Sequence, residues 1–125
     1  MARLLFIDDD RDAREIFQVV FESTHQVLLA EAAGQALEMV RTHPPDLVVV
    51  DLGLNRAMDG LEVLMALQSD VATRTIPVVV LTGREGARRQ VEAAGGAAFL
   101  LKPVSMEALV STVEALLPQG GGARP

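Results

Sequence analysis

Five short apolar runs punctuate the chain: LLFI at 4–7, VLLA at 27–30, LVVV at 47–50, IPVVVL at 76–81 and AAFLL at 97–101. Each is continuous rather than alternating, the pattern of strands buried on both faces of a parallel sheet. Between and after them the apolar positions change period. Ala13, Ile16, Phe17, Val20 and Phe21 follow helical spacing, as do Ala33, Ala36, Leu37 and Val40. Met106, Leu109, Val110, Val113, Leu116 and Leu117 form a third stripe, and residues 60–69 carry Val63, Leu64 and Leu67 on one face. The segment 84–94 is the poorest helix. Its stripe is only Ala87, Val91 and Ala94, Gly86 interrupts it, and Arg84, Arg88 and Arg89 crowd its start.

The punctuation agrees with this division. Pro44-Pro45 ends the second helix, Gly95 suits a left-handed cap after the fourth, and Pro118 stops the fifth. Strand and helix alternating five times predict an α/β fold, an open parallel sheet with helices on both faces. Right-handed crossovers reduce the choices to doubly wound forms. The five-stranded form has order 2-1-3-4-5 and a ligand crevice outside the carboxyl ends of strands 1 and 3. One domain is expected over 1–118, with QGGGARP at 119–125 as a flexible tail or the start of a linker.

Composition narrows the function classes. A chain of 125 residues, half of them apolar, can bury a core of its own. The net charge of -6 weighs against a broad basic face for nucleic acid. With no cysteine there is neither a disulfide framework nor a thiolate metal site. No stretch approaches the roughly 18 to 20 apolar residues of a membrane span, so a cytoplasmic setting is expected, with neither membrane nor nucleic acid as a direct partner.

The chemistry lies at the strand ends. Asp8, Asp9 and Asp10 follow strand 1, Asp51 follows strand 3, Thr82 ends strand 4, and Lys102-Pro103 follows strand 5. Strands 1 and 3 are neighbours in the expected topology, so carboxylates converge at the switch point. Close like charges repel unless a cation sits among them, and oxygen-only donors suit Mg²⁺ or Mn²⁺. Lys102 is the chain's only lysine among ten arginines. Lysine is a compact charge on a flexible stem, whereas arginine is a broad planar fork, so a narrow pocket for one phosphoryl or carboxylate oxygen favours the former. A carboxylate flanked by a divalent metal, a lysine and a hydroxyl is equipped to accept a phosphoryl group.

With these residues placed, the chain resembles the receiver domain of bacterial two-component response regulators, a CheY-like (βα)5, flavodoxin-like fold. FIDDD at 6–10 resembles the family's acidic pair, VVVDL at 48–52 its phosphoacceptor strand, and MDG at 58–60 its turn into helix 3. LTG at 81–83 resembles the hydroxyl position, and LLKP at 100–103 the lysine before a cis-linked proline. The resemblance covers residues 3 to about 117. It implies that Asp51 is phosphorylated, that Asp9, Asp51 and the Gly53 carbonyl bind metal directly, and that Asp8 does so mainly through water. It also implies that Thr82 binds a phosphoryl oxygen and that Phe99 is the aromatic switch. The partners implied are a sensor histidine kinase or phosphotransfer protein upstream, and a protein target or fused output domain downstream. A homodimer is compatible with it. Such a domain assists its own phosphorylation and dephosphorylation and is not otherwise an enzyme.

Plainer readings stand beside these. Asp10 reads as a helix cap, Phe99 also as core packing, and the arginines at 84, 88 and 89 as a solvated face or a docking patch. His25 and His43 read as surface residues. The loop from Asp51 to MDG is one residue longer than the family norm, and the stretch from Thr82 to Lys102 is about two shorter. A phosphorylation-independent pseudo-receiver, acting as an interaction module, is the rival reading. An aspartate-nucleophile phosphatase wants a second acid two residues after the nucleophile, and glycine stands there. A flavin site would want a hydroxyl- and glycine-rich loop after strand 1, which is missing.

Overall fold

Valine, leucine and isoleucine fill the apolar runs, and β-branched side chains pack well on a pleated surface. A computed structural model, which describes residues 1–52 and 57–117 with the backbone alone at 57–59, places a strand in each run. The strands are β1 Arg3–Ile7, β2 Gln26–Ala30, β3 Leu47–Asp51, β4 Val78–Thr82 and β5 Ala98–Leu101. Helices α1 Arg11–Phe21, α2 Ala33–Thr42, α3 Ala57–Ser69, α4 Arg88–Ala93 and α5 Met106–Leu116 alternate with them. A single 3-10 turn at Glu85–Ala87 leads into α4. Gly53, Pro118 and the tail at 119–125 lie outside the described residues.

The strands pair in parallel in the order β2-β1-β3-β4-β5. The doubly wound expectation is met. Alternate residues of the central strands feed two cores. Leu5, Val48, Val50, Val78 and Val80 pack with α2, α3 and α4, whereas Leu4, Phe6, Val49, Val79 and Leu81 pack with α1 and α5. Phe6, Phe17 and Phe21 stack in the second core, with ring centroids 4.4 and 4.6 Å apart along the series.

Helix ends follow their sequence signals. Asp10 caps α1 by accepting from the Asp12 N–H, and Ser105 caps α5 by accepting from the Ala108 N–H. Gly95 takes φ +96 after α4, in the left-handed region glycine enters without strain. α4 spans only 88–93, shorter than the 84–94 expected. Gly86 costs about 1 kcal/mol inside a helix, and a stripe of two alanines and a valine returns little packing for it.

Two stripe residues do not reach the core. Ile16 and Met106 are 52% and 42% exposed. Both border an open crevice beside α1 and α5 rather than packing on the sheet. His25 departs the other way. Its ring is mostly covered, accepting from the Ala2 N–H through Nδ1 at 3.0 Å, with Nε2 2.7 Å from Glu114 Oε2 on α5. The partner lies 89 positions away, beyond any inspection of sequence neighbours. His43 is exposed, as expected.

Candidate functional site

Strand order builds the site. β1 and β3 pair through Ile7 and Val50, so Asp8 and Asp51 leave the carboxyl edge side by side. The Asp51 side chain is 3% exposed, and its Oδ2 pairs with the ammonium of Lys102, which is 42% exposed and reaches in from solvent. The Lys102 backbone is held against β4, its N–H donating to the Thr82 carbonyl at 2.8 Å, and the Lys102-Pro103 peptide is cis. Asp51 Oδ1 is buried and accepts no hydrogen bond from the described residues.

Asp8 is buried, and its Oδ1 accepts from the Asp10 N–H at 2.9 Å. Burial pushes its carboxyl up to about 7, and the Asp51 carboxylate beside it pushes the same way. The Asp10 amide and Lys102 pull against this. Asp9 is exposed and lines the same crevice, of about 690 Å³, as Asp8, Asp10, Asp51 and Lys102. Among the described residues no three acidic or histidine side chains form a metal-holding cluster. What the fold brings together is a buried pair, Asp8 and Asp51, with Asp9 at its mouth.

That pair nevertheless fits a cation. A partnerless buried carboxylate oxygen and a neighbouring acid whose charged form is disfavoured by crowding are both relieved by one positive ion between them. The donors are all oxygen, which matches hard divalent ions. Gly53, the fourth ligand implied by resemblance, lies outside the described residues.

Thr82 and Phe99 stand on the other face of the sheet. Thr82 is buried, follows Val80 on the α2–α4 side, and accepts from the Arg84 N–H through Oγ1 at 3.2 Å. It does not line the crevice. Phe99 pairs with Val80 in register and packs at the edge of the same core. Two residues were not singled out from the sequence as parts of this site. Arg14 on α1 donates from Nη1 to the Asp8 carbonyl at 2.8 Å, and its Nη2 lies 3.4 Å from Glu31. Arg88 lies with its guanidinium 4.5 Å from the centre of the Phe99 ring. A half-buried arginine six positions after an acidic pair is a signal that periodicity offers for Arg14. Arg88 had none beyond its place in a cluster.

The family profile described as the response regulator receiver domain matches residues 4–114. Protein PilH of Pseudomonas aeruginosa is 31% identical over 120 residues, covering 94% of this chain and 98% of that protein. Response regulator MprA of Mycobacterium leprae is 37% identical over 118 residues, 92% of this chain but 50% of MprA, so the chain spans about half its length. Among solved structures, the signal receiver domain of a signal transduction histidine kinase from Syntrophus aciditrophicus superposes with a TM-score of 0.84. Its identity is 26%, with 100% of this chain and 95% of that one covered.

Proposed function

This chain belongs to the response regulator receiver domain family of two-component signalling, and from that premise we propose that Asp51 accepts a phosphoryl group from a sensor histidine kinase or a phosphotransfer protein. One observation carries the reading: a buried carboxylate paired with the chain's one lysine, in a crevice that Asp8 and Asp9 also line. Phosphoryl transfer needs positioning and charge stabilisation more than covalent help from the protein. In the step, an Asp51 oxygen forms a P–O bond as the P–N bond of the donor phosphohistidine breaks, and the imidazole nitrogen keeps the bonding pair. Lys102 stands where it can follow the negative charge from the carboxylate to the phosphoryl oxygens. Its point charge suits that narrow position better than a guanidinium fork.

Asp8, Asp9 and Asp51, with the Gly53 carbonyl that the resemblance adds, would hold Mg²⁺ or Mn²⁺. Such an ion supplies charge neutralisation at the transferring oxygens when bound. The Thr82 hydroxyl, now held by the Arg84 amide, would turn to a phosphoryl oxygen, and Phe99 would follow. Populations of the α4–β5–α5 face then shift toward the state a downstream target or fused output domain reads. The domain acts as a phosphoacceptor that assists its own phosphorylation and dephosphorylation, with no other substrate. None of the helices among the described residues is long and apolar enough to cross a membrane.

The test is intact-protein mass spectrometry after treatment with Mg²⁺ and acetyl phosphate. One acid-labile phosphoryl group is expected on the wild type and none on Asp51→Asn. Equal labelling of Asp51→Asn would move the site elsewhere, and an unlabelled wild type would favour a phosphorylation-independent interaction module.

A further inference from the structure

Phe99 is half-buried on the edge strand β5 and lacks the hydroxyl that would anchor a tyrosine. Its ring packs at the edge of the α2–α4 core and is covered by a guanidinium. The Arg88 Cζ lies 4.5 Å from the ring centroid, well within the roughly 6 Å range of a cation–π contact. Two carboxylates flank that guanidinium along the helix. Nε is 3.4 Å from Glu85 Oε2, and Nη1 is 3.8 Å from Glu92 Oε2. Exposed ion pairs at such spacings add little stability singly. Here they restrict the orientation of a planar group that stacks on a third partner. The three contacts converge on one side chain.

Arg88 is also connected to the site. Thr82 and Phe99 share a face of the sheet on adjacent strands, two rungs apart, since Val80 pairs with Phe99 and Thr82 with Leu101. The Thr82 hydroxyl accepts from the Arg84 N–H, and the Arg84 carbonyl accepts from the Ala87 N–H at 3.1 Å, in the turn that delivers Arg88. Only five residues separate Thr82 from Arg88.

We propose that Arg88 is a positioning residue that latches Phe99 in its place at the edge of the α2–α4 core, and that the turn Arg84–Ala87 ties this latch to the Thr82 hydroxyl. The inference deepens the receiver reading and rests on it for its signalling consequence. The contact itself involves only Arg88 and Phe99. When the Thr82 hydroxyl leaves the Arg84 amide, the turn loses its anchor at Thr82, the guanidinium loses its fixed place over the ring, and Phe99 is free to repack. Phe99 has no hydroxyl to hold it, and the cation over its ring does the holding.

The experiment reads Phe99 directly. The chain has four phenylalanines and no tyrosine or tryptophan, so its aromatic NMR spectrum is sparse. Phe99 χ1 populations, from three-bond couplings in phosphodonor-free protein, should shift toward the second rotamer by about two- to fivefold in Arg88→Ala, the range set by an exposed cation–π contact. Arg88→Lys should restore much of the wild-type population, and Arg89→Ala should leave it unchanged. Thr82→Ala, which removes the hydroxyl anchor, should shift it in the same direction as Arg88→Ala. Unchanged Phe99 rotamers in Arg88→Ala overturn the latch, and unchanged rotamers in Thr82→Ala overturn its tie to the hydroxyl. These spectra need no phosphorylation, so failure of Asp51 to label would remove the receiver chemistry while leaving the latch decided separately.

Discussion

Position 8 holds a carboxyl group buried against a second carboxylate, and its state sets the electrostatics of the crevice. The unfolded chain releases its proton near 3.8, whereas the folded protein holds it to about 7. Between those values the native state binds more protons than the unfolded one, so stability falls as pH rises through the window and stays lower above it. Asp8→Asn carries no charge to bury. In metal-free buffer its advantage over wild type should grow from near zero at about pH 4 to about 1–3 kcal/mol above pH 7, within what a shift of this size allows. Urea unfolding of both proteins across that range checks it, and a difference independent of pH would show that Asp8 titrates normally. At this scale the sequence is informative wherever a residue ends an apolar run. The edge positions of Asp8, Asp51 and Lys102 were legible because a parallel sheet aims every strand's carboxyl end at one edge, whereas Thr82 ends β4 there but turns to the other face. Arg14, His25 and Arg88 were not, because each finds its partner across elements: Asp8, Glu114 and Phe99 respectively.

Between elements, glycine separates the helices that must approach a strand closely from those that need not. A Cβ on Gly60 would run into Leu52 Cδ2 and come within 3.3 Å of Val50 Cγ2, because α3 lies against the end of β3 there. A Cβ on Gly34 in α2 would meet nothing within 4 Å. Alanine should therefore act with opposite signs. Gly34→Ala is expected to raise stability by up to about 1 kcal/mol, since the helix gains propensity and the unfolded chain loses freedom. Gly60→Ala is expected to lower it by about 1 kcal/mol, the displacement of a buried leucine outweighing the same gain. Urea midpoints of the two variants decide this, and a stabilised Gly60→Ala would mean that Leu52 yields without cost. The elements themselves were legible from period alone, with boundaries displaced by a few residues at most. The exception is α4, where Gly86 and a thin apolar stripe left length to tertiary contacts. Arg88, its first residue, lies over Phe99.

Across the whole molecule, the crevice and the fold are linked through whatever binds the native state alone. The sheet carries Asp8 and Asp51 at its centre, on β1 and β3, and neither carboxylate has its native neighbours once the strands separate. An ion held there should stabilise the entire domain. An open site with few protein ligands and several retained waters binds Mg²⁺ on the order of millimolar. At 10 mM, linkage then gives roughly 1.4 kcal/mol, about 3–6 °C in thermal midpoint for a domain of this size. The acidic run lets the register be tested. Asp9 and Asp10 both border the crevice, but the Asp10 side chain is engaged in capping α1. Asp10→Ala should lower the midpoint in every buffer, because the Asp12 N–H loses its acceptor. Its increment on adding Mg²⁺ should match that of the wild type. Asp9→Ala should behave in reverse, with an ordinary midpoint in metal-free buffer and most of the increment lost. Calorimetry of the three proteins with and without Mg²⁺ separates the two roles. Equal increments in both variants would place the ion away from Asp9, and equal losses would mean that the capping residue is itself a ligand.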